Sequence, residues 1–248
     1  MIITIAAQKG GVSKTTTAAA IAQAMASKGR RSLLVDLDPQ RSASLIYGAS
    51  ERTGGSYNLI KGTQPPDELI EHTACGDIIP ASVNLAILDI ELANRPGRDS
   101  FLKAALSPIR SSYDYIVLDT APGYGTCLIQ ALVAADKAII PLICDPHAVQ
   151  GLYQISETIA DVRRLVNPEL EVSGVVLTQH QGRTILTRQY EQLIRKRCEE
   201  LGLRLAETRI RKAIALQEAQ ALRESLFSYA PKSKPAQDYM ALIEELGL

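Results

Sequence analysis

The sequence is poor in aromatic residues and in cysteine, and it carries no net charge. It has no tryptophan and only two phenylalanines, so the interleaved aromatic side chains that stack on single-stranded nucleic acid are absent. Its 27 basic residues balance 27 acidic ones, and any nucleic-acid-binding surface must therefore be local. Four scattered cysteines without a Cys-x-x-Cys pair favour free thiols in a reducing compartment and argue against a zinc site.

Long apolar runs are absent as well. No stretch reaches the length that spans a membrane, and the N-terminus lacks the charged and apolar regions of a signal peptide. We therefore expect a cytoplasmic protein. At 248 residues with 46% apolar content, the chain is long enough for one sizeable core, whereas two domains would each be small. The composition favours a single domain over residues 1–248.

A lysine- and glycine-rich run at residues 8–16 is the segment around which the sequence is organised. Residues 1–7 predict a short buried strand before it, and residues 17–28 predict a helix after it. A strand, a glycine loop and a helix in this order aim several backbone N–H groups at one point, which suits a bound phosphate. Lys14 is then placed to reach the β- and γ-phosphates of a nucleotide, and the Thr15 hydroxyl to ligate Mg²⁺.

The run departs from the usual P-loop at two positions. Gln8 and Ser13 stand where that motif has glycine, and Lys9 adds a second lysine before the glycine pair. In these features the sequence resembles the ParA/MinD family of P-loop ATPases, whose loop usually reads KGGVGKTT. The predicted contacts to ATP are Lys9, Gly10, Gly11, Val12, Ser13, Lys14, Thr15 and Thr16, with Ile210 and Arg211 near the adenine base by a looser match.

The resemblance gives Lys9 a role of its own. Lys14 already serves the phosphates of its own loop, so a second lysine has no evident use there. In the family, the corresponding lysine reaches across a nucleotide-sandwich dimer to the phosphates bound by the partner subunit. The resemblance therefore implies a homodimer that forms on ATP binding, with Lys9 acting in catalysis at the other subunit's site.

Two predicted strands end in carboxylates. Residues 31–38 form a strand that closes on Asp36 and Asp38, and the following Pro-Gln matches a family element. The resemblance implies that Asp38 orients or deprotonates the attacking water and that Asp36 supports the Mg²⁺ shell. The residues alone also fit a pair of caps for the next helix. Residues 113–119 form the second such strand, of Walker B type, and deliver Asp119 to the Mg²⁺ shell, with residues 120–125 as a switch.

Strand-like and helix-like segments alternate along the chain. This alternation predicts an α/β fold, with a doubly wound, mostly parallel sheet and helices on both faces. Further strands are expected at residues 77–81, 137–142 and 172–178. Helices are expected from residue 42, at 67–71, 101–106, 151–166, 187–201 and 236–246, and one ending near residue 136; turns are expected at 53–56 and 62–66.

The family resemblance covers nearly the full chain and implies a slow, Mg²⁺-dependent ATPase that works as a timer. Because no N-terminal helix-turn-helix extension is present, the sequence resembles partition ATPases that bind DNA without sequence preference when dimerised by ATP. A ParB-like or other adaptor protein on the cargo then stimulates hydrolysis and releases the ATPase. This implies segregation of plasmid or chromosome DNA, or positioning of another cargo, by a nucleoid-associated protein.

Two other functions remain open. A MinD-like ATPase is recruited to membranes by a basic amphipathic helix, whereas residues 238–248 here contain three acidic residues and no lysine or arginine, so no membrane partner is expected. A non-hydrolysing, nucleotide-dependent scaffold is the other alternative, because Ser13 replaces the family's glycine. The iron–sulfur class within the family needs paired cysteines, and Cys127 has no obvious companion.

The predicted DNA surface lies in the last third of the chain. Residues 161–234 contain fourteen basic and nine acidic residues, a local excess on a neutral protein, and double-stranded DNA is the expected ligand. Scattered charge on solvated helix faces would look the same on a single monomer. The candidate contacts are Arg188, Arg195, Arg211, Lys212, Arg223, Lys232 and Lys234.

Overall fold

Continuous apolar runs form the strands at the centre of the fold, because a strand covered by helices on both faces has no solvent side. The computed structural model describes residues 1–50, 54–182 and 184–248, and within them eight strands form one sheet. The strands are β1 (Ile2–Ile5), β2 (Ser32–Leu37), β3 (Glu71–Thr73), β4 (Gly76–Ile79), β5 (Tyr115–Thr120), β6 (Lys137–Leu142), β7 (Glu171–His180) and β8 (Leu205–Arg211).

Helices connect the strands and cover both faces of the sheet. They are α1 (Lys14–Ser27), α2 (Ser42–Tyr47), α3 (Gly55–Lys61), α4 (Leu88–Glu91), α5 (Phe101–Leu106), α6 (Thr126–Ala134), α7 (Ala148–Leu165), α8 (Ile185–Glu200), α9 (Ile214–Leu222), α10 (Leu226–Tyr229) and α11 (Lys234–Glu245). Short 3-10 turns occur at Pro66–Leu69, Val83–Ile87, Arg98–Ser100 and Ser107–Ile109.

The strand order confirms the predicted doubly wound α/β fold. The order is β3-β4-β2-β5-β1-β6-β7-β8, and each neighbouring pair is parallel except β3 with β4. Strands β2, β5 and β1 are therefore adjacent, and their carboxyl ends share one edge of the sheet, where such folds bind ligands. In the register of β2 and β5, Asp36 lies opposite Asp119.

Each face of the sheet has its own apolar core. On one face α7 and α8 contribute Ile155 and Ile194, together with side chains from α3, α5 and α6. On the other face α1, α10 and α11 contribute Ile21, Leu226 and Tyr239. The predicted basic segment at residues 161–234 is thus divided, because α8 and α9–α11 lie on opposite faces of the sheet.

Three segments differ from the sequence-based expectation. The helix predicted at residues 67–71 is a 3-10 turn followed by β3, an antiparallel edge strand too short to show a period. The turn predicted at 53–56 is instead the start of α3, whose Gly55 has φ +59° and would bring a Cβ within 2.1 Å of the Pro80 carbonyl oxygen; Thr53 lies outside the described residues. The sequence does not predict the strand β8 over residues 207–211, because two of these residues are basic and one is acidic.

Candidate functional site

The loop between β1 and α1 surrounds a cavity at the carboxyl edge of the sheet. Gly11 and Ser13 both have positive φ, +76° and +63°, and α1 begins directly after Ser13. The first N–H groups of a helix have no partners within it, and the Ser13 side chain does not cap this one. They therefore face a cavity of about 390 Å³, which residues of the predicted ATP loop line together with Asp38.

Lys14 extends into this cavity from a largely buried position. Its side chain is only 6% exposed, and its ammonium donates a hydrogen bond to the Lys9 carbonyl oxygen at 2.9 Å. Burial lowers the pKa of Lys14, while Asp119 and Asp38 act in the opposite direction. A cation that is buried with only partial compensation gains from a phosphate placed beside it.

Asp36, in β2, is held by hydrogen bonds from neighbouring residues. Asp36 accepts hydrogen bonds from the Ser44 amide at 2.8 Å, from the Ser44 hydroxyl at 2.6 Å and from the Asp38 amide at 3.1 Å. These bonds tie the end of β2 to α2, which is the capping role that the sequence left open. Even so, burial raises the pKa of Asp36 to about 6. The assignment of Asp36 to the Mg²⁺ shell stays a prediction.

Asp38 lies at the wall of the cavity. One of its oxygens accepts a hydrogen bond from the Gln40 amide at 2.9 Å, and its side chain borders the same space as Lys14 and Thr15. The second oxygen is available to a water molecule next to a bound phosphate. This position agrees with the predicted role in orienting water, which stays a prediction.

Asp119, at the end of β5, is the only carboxylate of the described residues that is fully buried without a hydrogen-bond partner on either oxygen. Burial and the neighbouring Asp36 raise the pKa of Asp119 well above its ordinary value. The Thr15 hydroxyl, which lies nearby but forms no hydrogen bond of acceptable geometry with Asp119, and Lys14 act in the opposite direction with a smaller effect. An orphaned carboxylate beside a threonine hydroxyl is the donor set that Mg²⁺ prefers, so the residues present fit a magnesium ion held by Thr15 and Asp119.

Lys9 is held within its own chain. Its ammonium forms an ion pair with Asp145, in the loop between β6 and α7, and both side chains are partly exposed. The sequence predicts no use for Lys9 within its own loop, and its partner Asp145 indeed lies outside that loop, 136 residues away. The role of Lys9 at a partner subunit stays a prediction. The loop has a second anchor to this region, since the Gln8 amide donates to the Thr158 hydroxyl of α7 at 3.0 Å.

A second cavity, of about 230 Å³, shares Ser13 and Gln179 with the first. Ile210 and Arg211 line it, and their assignment to the adenine site stays a prediction. The Arg211 guanidinium is engaged by Asp238 of α11, with Nε to Oδ2 at 2.9 Å. Arg211 therefore contributes its backbone and side-chain stem to this cavity, and its charge is already paired.

The predicted DNA contacts do not form one continuous strip. Arg188 and Arg195 lie on α8, and Arg195 pairs with Glu207 at 2.9 and 3.3 Å. The remaining candidates lie on the other face, where Arg211 is paired with Asp238. Four exposed cations of that face have no ion pair within the described parts of the chain: Lys212, Arg223, Lys232 and Lys234. We call these four residues the α9–α11 basic surface. Arg183, which was counted in the charge excess, lies outside the described residues.

The acidic C-terminal segment is attached to the sheet. Besides the Asp238 pair, Glu245 accepts the amides of Glu207 at 2.6 Å and Thr208 at 2.8 Å, which joins α11 to β8. Across the described residues, no helix is long and apolar enough to cross a membrane.

Comparisons with known proteins agree with this geometry. The profile of the family described as "AAA domain" matches residues 1–172. The chain is 36% identical over 249 residues to the chromosome partitioning protein ParA of Myxococcus xanthus, spanning 99% of this chain and 87% of that protein. It is 34% identical over 250 residues to the sporulation initiation inhibitor protein Soj of Bacillus subtilis, spanning 99% and 98%. Among solved structures, cobyrinic acid a,c-diamide synthase from Mycobacterium smegmatis with bound ATP analog and magnesium is similar at a TM-score of 0.86, with 31% identity over 98% of this chain and 92% of that one.

Proposed function

This chain belongs to the ParA family of P-loop ATPases, and we propose that it is an ATP-driven switch that segregates DNA or positions a cargo. The observation that carries the proposal is one cavity in which Lys14 and Asp38 meet the N-terminus of α1, with the unpaired Asp119 buried close enough to Lys14 to oppose the lowering of its pKa by burial. Both apolar cores pack against the same sheet, which supports the interpretation of residues 1–248 as one domain.

ATP is the proposed substrate of this site. The loop amides and Lys14 stabilise the charge that develops on the γ-phosphate, and Asp38 holds the attacking water in line. Mg²⁺, held by Thr15 and Asp119, supplies further positive charge at the phosphates when bound. Release of phosphate is slow in this proposal, so that the ATP-bound state lasts long enough to act.

Dimerisation through Lys9 is the second element of the proposal. The dimer requires Lys9 to leave Asp145 and to reach the partner's phosphates, so ATP binding by two subunits exchanges one weak ion pair for contacts to a phosphate chain. Light scattering of Asp38→Ala with ATP should show a dimer, and Lys9→Ala in that background should be monomeric. A monomer in both proteins, or a dimer in both, would refute the role of Lys9.

Duplex DNA is the proposed matrix for the dimer. The α9–α11 basic surface offers four unpaired cations on each subunit, and a dimer doubles them, so that counterion release makes binding both ATP-dependent and salt-sensitive. A duplex shift assay of Asp38→Ala across a salt series tests this. We expect Lys232→Ala/Lys234→Ala to weaken binding and to reduce the salt slope by about two.

Arg188→Ala/Arg195→Ala is the matched control for that assay, because it removes the same charge from the other face of the sheet. If the control weakens DNA binding as much as the test pair does, the surface has been assigned to the wrong face. DNA binding that does not depend on ATP would remove DNA as the matrix and favour a protein or membrane surface.

An adaptor protein of the ParB type is the proposed trigger for hydrolysis, which releases the ATPase from DNA. Binding of the ATP-bound dimer to DNA places the protein on the nucleoid before that release. The MinD-like alternative has less support, because Asp238 and Glu245 bind inward to β8 and leave no basic helix for lipid. The scaffold alternative makes a different prediction, which is that no phosphate is released from ATP with or without the adaptor protein.

A further inference from the structure

The residue that departs from the family's loop, Ser13, is bonded to a second residue in the same unusual backbone conformation. Ser13 has φ +63° and Gln179 has φ +50°, although neither is glycine. The Gln179 side-chain amide donates to the Ser13 hydroxyl oxygen at 3.0 Å and to the Gly11 carbonyl oxygen at 2.8 Å. Two non-glycine residues in this conformation, 166 positions apart and bonded to each other, indicate a constraint at a functional site.

The end of β7 holds the loop through two of the loop's backbone carbonyl groups. Gln179 binds the Gly11 carbonyl, and the Thr178 hydroxyl donates to the Val12 carbonyl at 3.1 Å. In a planar peptide the carbonyl and the following N–H point in opposite directions. Fixing these two carbonyls therefore fixes the amides of Val12 and Ser13, which the phosphate site needs.

The Ser13 hydroxyl has a proton left to donate. A serine hydroxyl has one donor and two acceptor positions, and Gln179 occupies an acceptor position. Ser13 makes no cap bond to α1, and over residues 1–50, 54–182 and 184–248 its hydroxyl donates to no protein acceptor. Ser13 and Gln179 line both the phosphate cavity and the second cavity, so the hydroxyl lies where the two meet.

We propose that Gln179 is a positioning residue that turns the Ser13 hydroxyl toward the nucleotide's α-phosphate, so that Ser13 supplies a donor which glycine cannot. The inference rests on the proposed nucleotide-binding function. ADP and ATP both carry the α-phosphate, so both gain from the bond. The hydrogen bond stabilises bound substrate and transition state equally. It should therefore raise nucleotide affinity and leave kcat unchanged.

Calorimetry with ADP and Mg²⁺ tests the proposal on the full chain, because ADP binding needs neither hydrolysis nor a dimer. Ser13→Ala keeps the backbone strain and removes the hydroxyl, whereas Ser13→Gly removes both. We expect each to weaken ADP binding about tenfold, as for a hydrogen bond to a charged group. Only Ser13→Gly should raise the unfolding temperature, since glycine adopts φ +63° freely.

Gln179→Met keeps the length of the side chain and removes its amide. It should weaken ADP binding as well, and in Ser13→Ala/Gln179→Met the two losses should combine to less than their product, because they share one bond. The KM for ATP should rise about tenfold in Ser13→Ala with kcat within about twofold of the parental value.

Three outcomes overturn the inference. If Ser13→Gly binds ADP as tightly as the parental chain, Ser13 is only a strained substitution. If the losses of Ser13→Ala and Gln179→Met multiply, Gln179 does not act through Ser13. If the parental chain fails to bind ADP at all, the proposed function falls together with the inference, whereas the first two outcomes leave that function intact.

Discussion

The carboxyl ends of β2 and β5 lie side by side in register, yet their buried carboxylates differ in hydrogen bonding. Asp36 receives three hydrogen bonds from Ser44 and Asp38, while Asp119 receives none within the described chain. A carboxylate that the protein itself satisfies stabilises the fold, whereas one left unsatisfied costs stability and is explained by a ligand. The comparison indicates that Asp36 acts as a structural acid, and we expect Asp119 to bind a cation.

Asp38 is a third carboxylate at this edge of the sheet, and it borders the cavity. Of the substitutions considered, its removal should have the largest effect, on the rate of ATP hydrolysis. We expect Asp38→Ala to lower the rate of ATP hydrolysis by about 10²–10⁴-fold, as for loss of a general base or a water-positioning group. Binding of ATP should be unchanged, because within the described residues the Asp38 side chain accepts a hydrogen bond from the Gln40 amide alone and does not hold the phosphate loop. Phosphate release and calorimetry on the same preparation measure both quantities. Parental turnover by Asp38→Ala would remove it from the mechanism.

Asp36→Ala should destabilise the fold. It leaves the Ser44 amide, the Ser44 hydroxyl and the Asp38 amide without their acceptor in a buried position, and we expect a loss of about 3 kcal/mol in the free energy of unfolding. Urea denaturation measures it. A loss below about 1 kcal/mol would mean that Asp36 is no more structural than its neighbour.

Asp119→Asn should stabilise the fold, in contrast to Asp36→Ala. The folded pKa of Asp119 is raised above its ordinary value of 3.8, so its proton binds more tightly in the folded state. The stability it contributes is complete below pH 3.8 and is lost as the pH rises toward the folded pKa. The amide has no such loss, and we expect Asp119→Asn to be more stable by about 2 kcal/mol at pH 8, with the gain vanishing toward pH 4. A gain that is the same at both pH values would contradict the electrostatic origin.

Removal of the ion pair between Lys9 and Asp145 should have the smallest effect, a modest change in the dissociation constant of the dimer. Exchange of this partly exposed pair is worth less than about 1 kcal/mol, so Asp145→Asn should strengthen the ATP-dependent dimer of Asp38→Ala by about threefold. Light scattering over a concentration series measures the dissociation constant. A weaker dimer in Asp145→Asn would mean that Asp145 serves the dimer and does not compete with it.

Most of the fold could be predicted from the sequence because its elements are long, apolar and regularly spaced. The strand at Lys137–Leu142 and the helix at Phe101–Leu106 have the expected bounds. Short or charged elements escaped prediction, since β3 has three residues and β8 carries Glu207, Arg209 and Arg211. Their strand character comes from pairing with a neighbour, which a local pattern does not contain.

The parts of the candidate site that could be predicted lie within motifs. Lys14, Asp38 and Asp119 each belong to a recognisable motif. Lys14 and Asp38 line one cavity, and Asp119 is buried within electrostatic range of both. Asp145, Thr158 and Gln179 were missed because they reach the loop from more than 130 residues away. The only signal for Gln179 was indirect: Ser13 at a position of positive φ requires a compensating contact.

The central claim is that Asp119 is left unsatisfied for a magnesium ion beside a bound nucleotide. Titration of ATP into the parental chain and into Asp119→Asn, each with and without Mg²⁺, tests it most directly. We predict that Mg²⁺ tightens ATP binding to the parental chain and that Asp119→Asn loses about 10–100-fold of this gain, while its Mg²⁺-free affinity stays the same. An undiminished effect of Mg²⁺ in Asp119→Asn would contradict the account.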